Sequence, residues 1–476
     1  MDHDGGTLSL YHRVARHVMA PVLDLARGCG CMPALRELED SQWWPRDRID
    51  ALQRGRLQET IRHAYAHVPY YRRVMRERAI EPQDIGAVAD LSHLPILTKA
   101  IVRENLHDLT ADDARRGDLI RSRTSGSTGS PLVFLTTKQD WHGSGQARGL
   151  LAMEWAGVKL GDRTVAFTAG FGAPTPLEQR IRPVSSRLRR ATIIPLSELS
   201  TAGMDEVVRT LRRVKPRAIE AYPSALALIA AHIRDSGKPA PGVYAILIGG
   251  EQVFEHQRSL IREVFGKEPF SRYGSHENYL MGTECEAHAG FHVFSQDLVL
   301  EIVAEDGSPV APGVEGRVLV TNLRARGMPF IRYDTGDIGA YATTPCVCGR
   351  GMPLLDHLSG RRCDTIYTRD GRRIPGTGVG LSRFALLGAT GVQLVQEDLD
   401  HLTARVVVPE AATPEEREAV RRGVNGILHA SLGPCIALTV ELLDHIEPSP
   451  AGKYVPVISK VDPDSWLNQA GRVRTE

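Results

Sequence analysis

The segment Thr124-Ser125-Gly126-Ser127-Thr128-Gly129 packs four hydroxyls and two glycines into six residues, just ahead of the apolar run Leu132-Val133-Phe134. Glycine lets a backbone approach an anion closely, and hydroxyls beside free N–H groups donate to phosphate oxygens. A phosphate cradle is one reading. An ordinary Ser/Gly turn is the other, because the Gly-Lys-Ser/Thr ending of a Walker loop is missing. Four later stretches set charged residues beside Gly or Pro turns: Tyr273-Gly274-Ser275-His276-Glu277, Arg332-Tyr333-Asp334-Thr335-Gly336-Asp337, Gly360-Arg361-Arg362-Cys363-Asp364 and Pro448-Ser449-Pro450-Ala451-Gly452-Lys453. Each of these charges, taken singly, is also what a solvated turn carries. A further pattern is built on sulfur. Cys285-x-x-His288 and Cys346-x-Cys348 together offer three thiolates and an imidazole, a sufficient tetrahedral set for structural Zn²⁺. His292 is an alternative fourth ligand, and small buried hydrophobes are the alternative role for the cysteines.

In order and spacing, the five charged or Gly-rich stretches resemble the adenylate-forming superfamily of acyl-CoA synthetases and adenylation domains. Within it, Trp43 to Lys99 looks like the N-terminal segment of the phenylacetate-coenzyme A ligase family. Ala221-Tyr222-Pro223-Ser224 and the ending Gly452-Lys453-Tyr454 to Val457-Ile458-Ser459-Lys460 are similar to its branch tied to capsular polysaccharide biosynthesis. The resemblance spans nearly the whole chain. It implies a large multi-sheet N-terminal domain, residues 1–359, and a small mobile α/β C-terminal domain, residues 360–476, that carries the catalytic lysine. It also implies a two-step reaction, in which a carboxylate attacks the α-phosphate of ATP and a nucleophile then takes the acyl group from the adenylate.

Roles follow from the resemblance residue by residue. Glu277, in the family's Tyr-Gly-x-x-Glu motif with Tyr273 and Gly274, would bind Mg²⁺. Asp337 would accept hydrogen bonds from the ribose hydroxyls, since a carboxylate can take two at once. Arg361 would hold the ribose and phosphate side, and Gly249-Gly250-Glu251 matches the adenine-side loop, where small residues admit a flat base. Lys453 would bridge the substrate carboxylate and the α-phosphate, an attraction of about 4 kcal/mol per contact at an effective dielectric near 20. The branch includes members with zinc in the region of Cys285, His288, Cys346 and Cys348. Two departures stand out. Ser130 replaces a lysine common in the phosphate loop, and Cys363 takes the first acidic position of the hinge motif, which leaves rotation of the small domain an open question.

Elements that would position these residues are legible around them. Trp43 to about Lys99 reads as helical, with Leu57, Ile61, Ala64 and Tyr65 on one face and a stop at His67-Val68-Pro69. Val165–Thr168, Thr192–Pro195, Ala245–Ile248, Leu298–Val303 and Arg317–Thr321 read as strands, with helices at Ser224–Arg234 and Glu255–Phe265. This is an α/β body. Past residue 360, strands at Arg405–Val408 and Leu438–Leu442 flank a helix capped by Thr413, with Pro414 at its first position and Glu416 in its first turn. Near the start, Leu10, Val14, Val18 and Val22 recur every four residues opposite Arg13, Arg16 and His17. That is an amphipathic helix, and its narrow stripe is expected to pack on the body rather than on a membrane.

Composition bounds the partners. Lys plus Arg number 58 against 57 Asp plus Glu, which argues against nucleic acid or a charged membrane as a bulk electrostatic partner. No run of apolar residues is long enough to cross a bilayer, and Asp2 and Asp4 stand where a signal peptide needs positive charge. Seven scattered cysteines fit a reducing cytoplasm better than a disulfide scaffold. The expected partners are thus a small carboxylic acid, ATP and an acceptor, either a thiol such as coenzyme A or an amine or hydroxyl of a natural-product or polysaccharide intermediate. A non-catalytic nucleotide-binding scaffold is the third reading, and intact Glu277, Asp337 and Lys453 speak against it.

Overall fold

The computed structural model describes residues 9–115, 117–123, 132–168, 190–195, 203–361, 365–369, 372–375, 384, 387–389, 391–409, 412–433, 436–447 and 455–461. An eleven-stranded sheet forms the body. Its first half is parallel, in the spatial order Ala191–Pro195, Thr164–Thr168, Ala218–Ala221, Ala245–Gly249 and Phe270–Ser275. Ala245 to Ile248 are all buried, the continuous apolar run that a strand covered on both faces needs. Helices Pro223–Asp235 and Glu255–Phe265 make the crossovers on either side of this strand, and Leu226, Ile229 and Ile261 pack with Ile246 and Ile248.

The second half is antiparallel. Tyr279–Thr283, Phe291–Val293, Leu354–Arg361, Tyr333–Tyr341, Gly316–Asn322 and Leu298–Val303 follow in space. The large unit therefore gathers most of its strands in one mixed sheet, with a separate hairpin of Leu119–Arg123 and Val133–Thr137 beside it. Against the sheet lies the helical arm. The helix Arg46–His67 buries Ile49, Leu57, Ile61 and Ala64. It stops at Val68, which is extended because the residue before a proline avoids the helical region, and Pro69 opens the next helix, Pro69–Glu77, at its first position.

The small α/β unit has its own four-stranded sheet, in the order Ala437–Leu443, His401–Val407, Gly391–Gln396, Val457–Ser459. Its helix, Pro414–Leu432, begins with the expected capping box: Thr413 accepts from the Glu416 N–H, and Glu416 accepts from the Thr413 N–H. Val420, Val424, Leu428 and Leu432 of this helix close over Leu394, Leu402 and Val406.

One expectation is overturned. The N-terminal helix, continuous from Leu10 to Arg27 through a π turn at Ala15–Met19, does pack on the body, but through its polar side. Leu10, Val14, Val18 and Val22 face outward. No described helix is long and apolar enough to cross a membrane.

Candidate active site

Three neighbouring parallel strands end side by side, and open α/β sheets bind ligands beyond such carboxyl ends. From Ala218–Ala221 the chain passes to Tyr222, from Ala245–Gly249 to Gly250 and Glu251, and from Phe270–Ser275 to His276 and Glu277. Gly250 has φ +81°, and a Cβ there would lie 2.7 Å from Cε1 of Tyr222. Only glycine leaves the tyrosine ring against bare backbone. Glu251 accepts from the Ser224 hydroxyl at 2.6 Å and the Ser224 N–H at 3.3 Å, which pins this loop to the first turn of the helix Pro223–Asp235.

The two carboxylates are held reciprocally. Tyr273, from the stretch that carries Glu277, donates to Asp337 Oδ2 at 2.8 Å. Tyr333, from the stretch that carries Asp337, donates to Glu277 Oε1 at 2.7 Å. Burial, and then the charge of Glu277, push the Tyr333 hydroxyl far above its ordinary range, so it remains a donor. Gly274 permits the tight hairpin between Phe270–Ser275 and Tyr279–Thr283, since a Cβ there would lie 2.4 Å from the Tyr279 carbonyl oxygen. Asp337 also stands opposite Arg361 in the strand register. A cleft of about 600 Å³ opens here, lined by Gly250, Glu251, Tyr273, Gly274 and Asp337 and, from the small unit, by Val455 and Pro456. Thr124, Ser125, Gly126, Ser127, Thr128 and Gly129 lie outside the described residues, as do Lys453 and the side chain of Arg361.

The sulfur cluster closes with His292. Ligand atoms of Cys285, His292, Cys346 and Cys348 all lie within 4.8 Å of one another. Cys285 Sγ is 3.6 Å from Cys346 Sγ, and Cys348 Sγ is 3.3 Å from His292 Nε2. Tetrahedral zinc sets ligand edges of about 3.8 Å between sulfurs and about 3.5 Å between sulfur and nitrogen. The donor set therefore fits the ion. His292 sits on the strand Phe291–Val293, paired with Leu354, so the loop from Tyr341 to Leu354 brings both of its cysteines over it. Burial pushes the His292 imidazolium down to about 4, which leaves the neutral ring a metal needs. Burial pushes the Cys285 thiol up to about 12, whereas hydrogen bonds from Arg350 outweigh burial and hold Cys348 below the usual thiol range.

His288 goes elsewhere. It has φ +50°, hydrogen-bonds Glu284 Oε2 at 3.0 Å, packs on Phe270 and lines the cleft. Of the residues that shape the site, Tyr333, Tyr222 and Ser224 had no assigned role in the sequence reading. Their signal was position, because each stands inside a stretch that already carried the resemblance.

No family model matches the chain. The chain is 32% identical over 339 residues to phenylacetate-coenzyme A ligase of Escherichia coli, covering 68% of this chain and 73% of that one. It is 29% identical over 342 residues to the Thermus thermophilus protein of the same name, again 68% and 73% of the two chains. Protein CapK of Staphylococcus aureus is 22% identical over 421 residues, 84% of this chain and 87% of that one. Among solved structures, 2-hydroxyisobutyryl-CoA ligase in the postadenylation state superposes with a TM-score of 0.73 at 20% identity, over 92% of this chain and 94% of the other. In its thioesterification state the TM-score is 0.59, at 22% identity over the same shares of the two chains. The fold, the laced carboxylates and the identity to the E. coli enzyme place this chain in the phenylacetate-coenzyme A ligase family of AMP-forming ligases.

Proposed function

We propose that the protein activates a carboxylic acid with ATP, releases pyrophosphate, and passes the acyl group from the adenylate to a thiol such as coenzyme A. The observation that carries this reading is the reciprocal hold of Tyr273 on Asp337 and of Tyr333 on Glu277 beside the Gly250 loop. In the first step a carboxylate oxygen bonds the α-phosphorus, and the bond to the bridging oxygen breaks, so pyrophosphate leaves with its electron pair. Two anions meet, and the developing charge must be neutralised by groups already in place. Lys453 and the Thr124 to Gly129 loop are the donors for the phosphates and the attacking carboxylate. Asp337, oriented by Tyr273, receives the ribose hydroxyls, and the Gly249-Gly250-Glu251 loop borders the adenine. Arg361, opposite Asp337, supports the ribose and phosphate side. Glu277 is a half-buried carboxylate and offers the hard oxygen that Mg²⁺ takes. When bound, that ion would neutralise phosphate charge.

Support comes from the relatives named phenylacetate-coenzyme A ligase and from 2-hydroxyisobutyryl-CoA ligase, whose structure holds an acyl-AMP. An amine or hydroxyl acceptor is the alternative to the thiol, and the extent of the likeness does not choose between them, since CapK and the phenylacetate-coenzyme A ligase of Aromatoleum evansii each match over 84% of this chain. Pyrophosphate exchange against a panel of aryl, alkyl and amino acids, followed by mass analysis of products with coenzyme A and with amines, tests both. Exchange that depends on a carboxylic acid is expected. ATP hydrolysis that needs no acid would sink the proposal.

A second prediction concerns the nucleotide. Asp337→Ala would strand ribose hydroxyls in a partly dry cleft and should cost about 1 to 3 kcal/mol in ATP affinity with the fold intact. Calorimetric titration checks it, and unchanged affinity would move the ribose elsewhere.

A further inference from the structure

The turn that carries Glu277 is gripped from within the body by a buried charge. Arg148, on the helix Gln146–Trp155, is only 1% exposed. Its Nη2 donates to the carbonyl of Asn278, the residue after Glu277, at 3.0 Å, and its Nε donates to the Ser144 carbonyl at 3.4 Å. The rest of Asn278 is held as well. Its N–H donates to the Ser275 hydroxyl at 3.1 Å, and its side-chain oxygen accepts from Asn322 at 3.3 Å. Stability alone does not account for the guanidinium. Burial pulls it below its ordinary range, and Asp297, the carboxylate that supports its charge, stands 3.9 Å away, beyond hydrogen-bond reach. Asp297 is also served by Arg56 at 3.2 Å and Arg324 at 2.8 Å. Removing Arg148 would leave no carboxylate without a cation, and an apolar side chain of similar volume in place of a buried ion is often neutral or stabilising. Its Nη1 has no acceptor among the described residues, nor has Asn278 Nδ2. Both residues border, with Glu277, a cavity of about 10 Å³, room for about one water molecule.

We propose that Arg148 is a positioning residue for the metal: by fixing the Asn278 carbonyl it sets the direction in which Glu277 presents its carboxylate to Mg²⁺. The inference rests on the reading of Glu277 as the metal carboxylate. Two holds then act on that side chain from opposite ends. Tyr333 fixes Oε1 at 2.7 Å, and Arg148 fixes the backbone from which the side chain springs. Either hold alone would leave the carboxylate free to pivot about it. A carbonyl held by a charged donor is the stronger kind of tie, which gives a reason for a guanidinium at this buried place. Groups that orient a metal ligand are typically worth roughly tenfold to a hundredfold in metal affinity.

The test is calorimetric titration of the full chain with the α,β-methylene analogue of ATP, which cannot release pyrophosphate, once with Mg²⁺ and once with EDTA. The ratio of the two affinities is the gain that the metal confers. Arg148→Met is expected to shrink that gain roughly tenfold, while the affinity in EDTA stays as in the wild type. A role in the fold alone would move both affinities together or neither, and either result overturns the proposal. Arg148→Lys keeps the charge that faces Asp297 but lacks the planar fork. It is expected to show a smaller loss of the same kind, and it decides the question if the methionine variant does not fold. A wild-type chain whose analogue binding gains nothing from Mg²⁺ would remove the metal from Glu277, and this inference with it. Pyrophosphate exchange by the wild type, measured separately, keeps the two readings apart. Absence of acid-dependent exchange fails the reaction proposed above, whereas an unchanged metal gain in the variants of an active chain fails this inference alone.

Discussion

Lys453→Ala is expected to lower carboxylate-dependent pyrophosphate exchange by a factor on the order of 10² to 10³, the size of losing one preorganised electrostatic stabiliser. It is expected to spare acyl transfer from a chemically supplied acyl-adenylate. The asymmetry follows from where the lysine's segment sits. Val455 and Pro456, two and three residues on, line the cleft together with Asp337 and Gly250. Gln393 Nε2 donates to the Val455 carbonyl at 3.0 Å, the Leu394 N–H donates to the Pro456 carbonyl at 2.8 Å, and Leu394 pairs with Val457. The segment is therefore tied to the small unit's sheet and must travel wherever that sheet goes. If the small unit rotates for the second step, the lysine leaves with it. Equal loss in both half-reactions would favour a chain that keeps one arrangement, as Cys363 in the hinge motif suggests, and no loss in either would remove Lys453 from the site.

What the sequence disclosed and what it hid differ in kind. Buried parallel strands such as Ala245–Gly249 are continuous apolar runs, and the helix at Pro414 carries its cap in Thr413 and Glu416, so local physics names both. The strand Tyr333–Tyr341 is different, since Tyr-Asp-Thr-Gly-Asp has little strand propensity. It is a strand because its neighbours on both sides pair with it, and it bends through register shifts against each. The roles of Tyr273 and Tyr333 were hidden for a related reason. Each serves the carboxylate of the other's stretch, across a distance in sequence that only the sheet order closes. Periodicity named the N-terminal amphipathic helix but not which side faces in. That was decided by Glu39 and Glu154, which draw Arg16 inward from remote positions.

The ligand choice in the sulfur cluster leads to the other large effect. Spacing alone suggests Cys285-x-x-His288, yet the positive φ of His288 turns its ring to Glu284 and Phe270, and the strand pairing of His292 with Leu354 turns that ring to Cys348. Elemental analysis of the purified chain should accordingly find about one zinc, retained in His288→Ala and lost in His292→Ala and Cys346→Ser. The cluster joins elements distant in sequence. Beside it Arg350 pairs with Glu286 and donates to Gln42 Oε1 at 3.2 Å, and Gly351 donates to the Gln42 carbonyl at 3.0 Å, so the same loop holds the helical arm to the sheet. Structural zinc contributes on the order of 10 kcal/mol in small domains, and here the large hydrophobic core into which Cys285, Cys346 and Cys348 pack shares the load. A fall of roughly 10 °C or more in Tm for Cys346→Ser, or on chelation, is expected. A fully active protein free of zinc, with the same Tm as Cys346→Ser, would show that the four side chains are only packing partners.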